Sequence, residues 1–190
     1  MSDIDLTEKL RTKLGTKYRK VGRYSVSDLY AMQAGWLTPY TWLHPEPVDF
    51  TGLMNMMNGI VMHEKIQMLY SKEDCEIKKV IRYKDIEIVG KCDYLPKESI
   101  EIWDFKTSSK VMDKMKPWAR HQIKMYCSMF DREVGKIYQP VTRGDRIYLK
   151  DCGSVERDDP WYERELERLY QFHLKVKEIY EKENHPKGGN

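Results

Sequence analysis

A chain of 190 residues with 41% hydrophobic content, 13 tyrosines and 5 tryptophans carries enough apolar material for one domain with a substantial core, which excludes general disorder. Its 33 Lys and Arg against 30 Asp and Glu leave a formal net charge of +3, too small by itself to require a nucleic-acid partner. No uninterrupted apolar run approaches the roughly 18 residues of a membrane span. The acidic opening Met1-Ser2-Asp3-Ile4-Asp5 lacks the basic and apolar regions of a signal peptide, so an intracellular, cytoplasmic protein with no membrane partner is expected.

In chain order, a first helix is predicted over about residues 3–14. Around its end, between Lys9 and Ser27, stand Lys9, Arg11, Lys13, Lys17, Arg19, Lys20 and Arg23 with no acidic residue among them. A second helix is expected from a Ser27 cap through Gln33. Leu53, Met56, Met57, Ile60, Val61 and Met68 recur at helical spacing over about 52–70 and predict an apolar face there. Strands follow near 75–83, 86–94 and 100–107. Pro117 can open a helix that ends near Asp131, on which Gln122 and Tyr126, four apart, share a face. Strands near 135–141 and 146–150 precede a C-terminal helix over about 160–182, striped by Tyr162, Leu166, Leu169, Val176 and Tyr180. The expected class is α+β, a central mixed sheet covered by helices, and 185–190 reads as a tail.

The informative stretch is the hairpin from Gly90-Lys91-Cys92-Asp93 to Glu101-Ile102-Trp103-Asp104-Phe105-Lys106-Thr107. Residues two apart on a strand share a face, so Asp104 and Lys106 project together, with Ile100 and Ile102 behind them. If the connection through Pro96-Lys97-Glu98-Ser99 holds an even number of residues, Asp93 lies opposite Ile102, diagonal to Asp104 and on its face. A one-residue slip would send it to the other face. Two carboxylates and an ammonium so arranged are equipment for phosphodiester hydrolysis around one divalent cation. Glu101 alternates away from Asp104, Trp103 and Phe105 read as core, and the similar triplet Glu76-Ile77-Lys78 reads as a solvated strand edge.

Four motifs then appear in sequence: Gly59-Ile60-Val61-Met62-His63-Glu64, Gly90 to Asp93, Asp104-Phe105-Lys106-Thr107, and Gln122-Ile123-Lys124-Met125-Tyr126. Together with Tyr24-Ser25-Val26-Ser27-Asp28-Leu29 upstream, they resemble the RecB-type branch of the PD-(D/E)XK nucleases. That branch includes the CRISPR-associated spacer-acquisition exonucleases and the mitochondrial genome maintenance exonuclease. The resemblance spans residues 24–150 and implies an α/β/α restriction-endonuclease-like core, preceded by a basic helical arm (1–23) and followed by a helix (158–184), all one domain. It also implies Mg²⁺ or Mn²⁺ bound by Asp93, Asp104, His63 and the Phe105 carbonyl, Lys106 acting on the attacking water, and Gln122 and Tyr126 contacting DNA or bracing Lys106. An imidazole ligand makes Mn²⁺ more competitive against Mg²⁺.

The expected activity is a metal-dependent deoxyribonuclease, exonucleolytic on DNA ends or single strands. It would work in repair, recombination, replication or CRISPR adaptation, in a cellular, plasmid or viral setting. The alternative is a DNA-binding, weakly catalytic subunit of a DNA-processing complex, and toroidal homo-oligomers occur among such relatives. Lys110, Lys116 and Arg120, within the run Lys106, Lys110, Lys114, Lys116, Arg120 and Lys124, are the expected phosphate contacts. Spacer-acquisition relatives hold an iron–sulfur cluster with one cysteine before the core and three near the C-terminus. Here Cys75, Cys92, Cys127 and Cys152 are scattered, with none before Cys75, so no cluster is expected, and Cys92 and Cys127 read as buried thiols.

Overall fold

The computed structural model describes residues 19–108 and 110–184. The expected helix over 3–14, the tail from His185 and most of the first basic run lie outside them. The elements are β1 (Arg23–Ser25), α1 (Val26–Gln33), α2 (Pro39–Leu43), α3 (Phe50–Gln67), β2 (Cys75–Tyr83), β3 (Ile86–Tyr94), β4 (Glu101–Phe105), α4 (Pro117–Phe130), β5 (Val134–Arg143), β6 (Arg146–Glu156) and α5 (Asp159–Asn184). This is the expected α+β class with a mixed six-stranded sheet and a long C-terminal helix.

One strand organises the sheet. β2 pairs antiparallel with β3 along nearly its whole length, from Cys75–Tyr94 to Tyr83–Ile86. A strand has two edges, so β1 and β4 must share the other. β1 runs parallel there from Arg23–Glu87 to Ser25–Val89, and β4 runs antiparallel from the pair Tyr94–Trp103. Between Val89 and Tyr94 that edge carries no strand partner, and the sheet opens into a cleft at the segment holding Lys91 and Asp93. β5 continues the sheet parallel to β4, and β6 closes it antiparallel to β5. The parallel β4–β5 step needs a crossover, which α4 supplies.

α4 lies unusually close to the strands because two glycines leave room. A side chain at Gly135 would meet Ile123 Cγ1 at 2.6 Å and Cys127 Sγ at 2.8 Å, and one at Gly90 would meet Met129 Sδ at 2.6 Å. Ile123, Cys127 and Met129 of α4, with Ile88, Cys92, Ile102 and Ile137 of the sheet, form the core. Each fully buried aliphatic there stabilises by about 1.5–3 kcal/mol. Tyr162, Leu166, Leu169 and Val176 of α5 join the same core, while Tyr180, near the end of the stripe, is exposed.

Several expectations shift. α1 starts at Val26 with Ser25, not Ser27, at its N-cap position, and the two serine hydroxyls bond each other at 2.8 Å. The short helix α2 was hidden from periodicity, although Thr38 and Thr41 form a capping box around Pro39. β4 stops at Phe105 and begins at Glu101, leaving Ile100 exposed, while β6 runs on to Glu156. On α3 only Leu53 and Ile66 are buried, and Met56, Ile60, Val61 and Met68 are exposed. Among the described residues that stripe meets no core, and Met56 and Ile60 line the cleft instead. Arg19, from the first basic run, donates to the Thr41 and Trp42 carbonyls and sits over the Trp42 ring, holding α2 in place.

Candidate active site

The cleft between α3 and α4, about 690 Å³, has Asp93, Asp104, Phe105 and Lys106 in its lining, with His63 from α3 and Gln122 and Tyr126 from α4. A larger hollow of about 940 Å³ elsewhere is lined by Asp85, His173, Lys177 and Tyr180, among others, but by no buried acid. Chemistry, not size, selects the site.

The Tyr94–Trp103 pairing brings Asp93 abreast of Asp104, two positions from the expected partner Ile102. The even connection keeps the parity, and the register sits tighter than the diagonal arrangement. Both carboxylates are nearly inaccessible, at 6% and 2% exposure. Asp93 Oδ2 accepts the Phe105 N–H at 2.6 Å, and Asp93 Oδ1 lies 3.4 Å from His63 Nδ1. Lys106, just past the end of β4, keeps an extended path because its N–H donates to the Tyr138 carbonyl at 2.9 Å. Its ammonium lies 2.6 Å from Asp104 Oδ2 and donates to Gln122 Oε1 at 2.9 Å. Gln122 Nε2 in turn donates to the Tyr126 hydroxyl at 2.9 Å.

The electrostatics of the two acids diverge. Burial, reinforced by the neighbouring Asp93 charge, pushes the Asp104 carboxyl up to about 6 despite Lys106. Burial acts on Asp93 too, but the His63 hydrogen bond, the His63 and Lys106 charges and the Phe105 N–H outweigh it and hold that carboxyl below its ordinary value. His63 is raised: burial opposes its charge, and the Asp93 contact more than compensates. Burial keeps the Tyr126 phenol protonated as a donor. It also pushes the Cys92 and Cys127 thiols up to about 12, so they behave as small core residues.

Asp104 Oδ2 is buried, and its partner is the Lys106 ammonium at 2.6 Å, a charged contact bent away from ideal hydrogen-bond geometry. Two adjacent carboxylates are hard oxygen donors of the type that suits Mg²⁺ or Mn²⁺. As they stand, His63 leans on Asp93 and Lys106 on Asp104. Among the described residues no group of three or more His, Cys, Asp or Glu is spaced to hold a metal. The residue types fit a divalent ion, and its ligands would be drawn from side chains that at present compensate one another.

Other expected residues fall outside this ring. Lys110, Lys116 and Arg120 are exposed beyond the cleft lining, and Lys124 is bound to Asp158 at 2.8 Å. Glu101 pairs with Lys136 at 2.6 Å and accepts from the Trp103 indole. Phe105 is core as expected, while Trp103 is half-buried among the rings of Tyr70, Tyr94 and Tyr138. Glu76 is exposed on the edge strand β2, as expected. It lies on the cleft wall with φ +53 and accepts from Lys91 at 2.7 Å. Ser25, Met56 and Trp118 also line the cleft, and no motif marked Met56 or Trp118. Gly59 lets α3 close on the site, since a side chain there would meet Thr107 Oγ1 at 3.3 Å.

No family model and no curated protein matches the sequence. Solved structures do match. An alkaline exonuclease (LHK-Exo) from Laribacter hongkongensis, in complex with dAMP, superposes with TM-score 0.59 at 12% identity, covering 94% of this chain and 98% of that one. It shares its fold with exonucleases. A phage-related exonuclease from Haemophilus somnus 129PT gives TM-score 0.53 at 15% identity, over 90% of this chain and 99% of the other. The protein SSO0001 gives 0.56 at 15% identity, over 89% and 83%. Among the described residues no helix is long and apolar enough to cross a membrane.

Proposed function

We propose that this protein is a divalent-metal-dependent DNA exonuclease of the RecB-type branch, hydrolysing phosphodiester bonds at the cleft between α3 and α4. The observation that carries the reading is the buried pair Asp93–Asp104, with Lys106 held between Asp104 and Gln122 on an exonuclease fold. A scaffold gains nothing from burying two neighbouring carboxylates, because each costs several kcal/mol in effective desolvation.

Asp93, Asp104, the Phe105 carbonyl and His63 would hold Mg²⁺ or Mn²⁺. When bound, the ion supplies Lewis-acid neutralisation of the phosphoryl oxygens and an activated water. The chain's own groups supply orientation. Lys106 directs its ammonium toward the phosphate and stabilises the negative charge that develops as the P–O bond to the attacking water forms and the bond to the leaving sugar oxygen breaks. Gln122 fixes that ammonium through its amide oxygen, and the Tyr126 hydroxyl fixes Gln122. Those two residues act as positioning residues, which favours bracing over direct DNA contact. The exposed Lys110, Lys116 and Arg120 would attract the DNA backbone outside the cleft.

End-labelled single- and double-stranded DNA incubated with Mg²⁺, Mn²⁺ or EDTA, beside a Lys106→Ala control, tests this. Metal-dependent cleavage lost in the variant is expected, and the product ladder gives polarity. Metal-independent DNA binding without turnover would replace the reading with that of a DNA-binding subunit.

A further inference from the structure

The floor of the cleft is charged, but two of its walls are apolar in a way the hydrolytic chemistry does not use. On one side stands Trp118, in the first turn of α4 after Pro117, 40% exposed. Its ring is adjacent to the reacting groups, with the Lys106 ammonium 5.3 Å from the ring centroid. Met56 and Ile60, four apart and so on one face of α3, line the same cleft at 40% and 44% exposure. These are the side chains that helical periodicity assigned to a core and that the fold leaves in the open. A flat aromatic surface and an aliphatic wall flanking a phosphodiester-binding floor suit a planar, apolar group attached to a phosphate.

We infer that Trp118 is a stacking platform for the nucleobase next to the scissile phosphate, with Met56 and Ile60 lining the cleft alongside it, so that the strand entering the site is unpaired and unstacked there. This rests on the nuclease reading and adds the substrate class to it. A base within a duplex has both faces covered by its neighbours, so it meets an aromatic platform only in a single strand or at a frayed end. Stacking is indifferent to base identity, because every base has a π-face, so no sequence preference follows from Trp118. The adjacent ammonium places a cation beside both the ring and the phosphate, and the basic residues Lys110, Lys116 and Arg120 outside the cleft match the charge of the strand that follows.

The test compares wild type, Trp118→Ala, Trp118→Leu and Trp118→Phe on a fluorescein-labelled single-stranded 12-mer and on the same strand carrying abasic residues at its two terminal positions. Binding is read by anisotropy in EDTA and in Ca²⁺, and hydrolysis in Mn²⁺. The expected result is a rise in Kd and KM of about 5- to 100-fold for the Ala and Leu variants on the normal strand, the range of a lost base–aromatic stack. The Phe variant stays within about threefold of wild type, and kcat changes little because the lost contact serves ground and transition states alike. On the abasic strand the four proteins converge. An equal loss on normal and abasic strands, or none on either, overturns the stacking role. The Leu variant keeps apolar bulk at the site, so a folding defect in the Ala variant would not mask the result. Wild type that cleaves normally yet is indifferent to Trp118 refutes this inference alone. Wild type that cleaves nothing in Mn²⁺ refutes the nuclease reading, and the binding comparison still decides whether the ring stacks.

Discussion

Among the described residues, two places bury an acid beside a histidine and a basic side chain, and the acids shift in opposite directions. At Glu165 on α5, Oε2 lies 3.1 Å from His121 Nε2, and Oε1 accepts from Arg168 at 2.6 Å and from Gln33 at 3.4 Å. Burial alone would raise that carboxyl, but the His121 and Arg168 contacts outweigh it and hold it below its ordinary value. The cluster ties α1, α4 and α5 together with both Glu165 oxygens supplied, although His121 Nδ1 is buried without a hydrogen bond. At the cleft, Asp104 Oδ2 has Lys106 at 2.6 Å, but the carboxylate stands beside a second acid and is raised. Glu165 has partners on both oxygens, whereas Asp104 rests on one lysine beside a second buried acid in an open cleft.

The largest expected difference is in catalysis. Asp104→Asn and Lys106→Ala should each lower metal-dependent DNA cleavage by at least about 100-fold, since the first removes a ligand of the proposed ion and the second the ammonium that faces the developing phosphoryl charge. Glu165→Gln should leave the cleavage rate within a few-fold of wild type. Comparable losses in all three, measured on one labelled strand, would erase the distinction between the two clusters.

Metal should separate them next. Mg²⁺ or Mn²⁺ at about 100 times its Kd stabilises a folded state that alone binds it by about 2.7 kcal/mol. Thermal melts should therefore rise with metal in wild type and in Glu165→Gln, and stay unmoved in Asp104→Asn. A melt of the Asp104 variant that rises as in wild type would place the ion elsewhere.

Stability reverses the ranking. Glu165→Ala removes a hydrogen-bonded charge at a three-helix junction and should cost about 2 kcal/mol, read from the urea midpoint. Gln122→Ala loses one link between Lys106 and Tyr126 and should cost about 1 kcal/mol, with kcat lowered while KM changes little because Lys106 is no longer held. An unchanged kcat would make Gln122 a packing residue.

The smallest effect concerns pH without metal. Because the folded-state value of Asp104 is raised to about 6, its contribution to stability is fully present below the unfolded value near 3.8 and is lost as pH rises through about 6. Asp93, whose value is depressed, contributes above its unfolded value and loses that as pH falls through its folded one. In EDTA, Asp104→Asn should therefore gain on wild type between pH 4 and pH 7, and a difference that stays flat over that range would contradict the assignment.

Much of this was legible in the residues. Strand alternation marked Asp104 and Lys106 as sharing a face, and it placed Asp93 there only on the condition of an even connection, which the turn residues did not fix. The four-residue spacing put Gln122 beside Tyr126, because helical geometry allows little else. The α+β class followed from strands and helices of distinct period. The apolar repeat of α3 misled, since periodicity reports which residues share a face and not what that face meets.

What the sequence by itself determined is local: the strand and helix periods and the order of the chemical groups along the chain. These depend on neighbours two to four residues apart. Tertiary structure alone decided that β1 and β4 share one edge of β3 and leave a gap at Asp93, that Gly90 and Gly135 let α4 settle close enough for Gln122 to reach Lys106, and that Met56, Ile60 and Trp118 face a cleft. Each of those joins residues far apart in the chain. The shape and exposure that make a surface a site arise from such distant pairings, which no local pattern records.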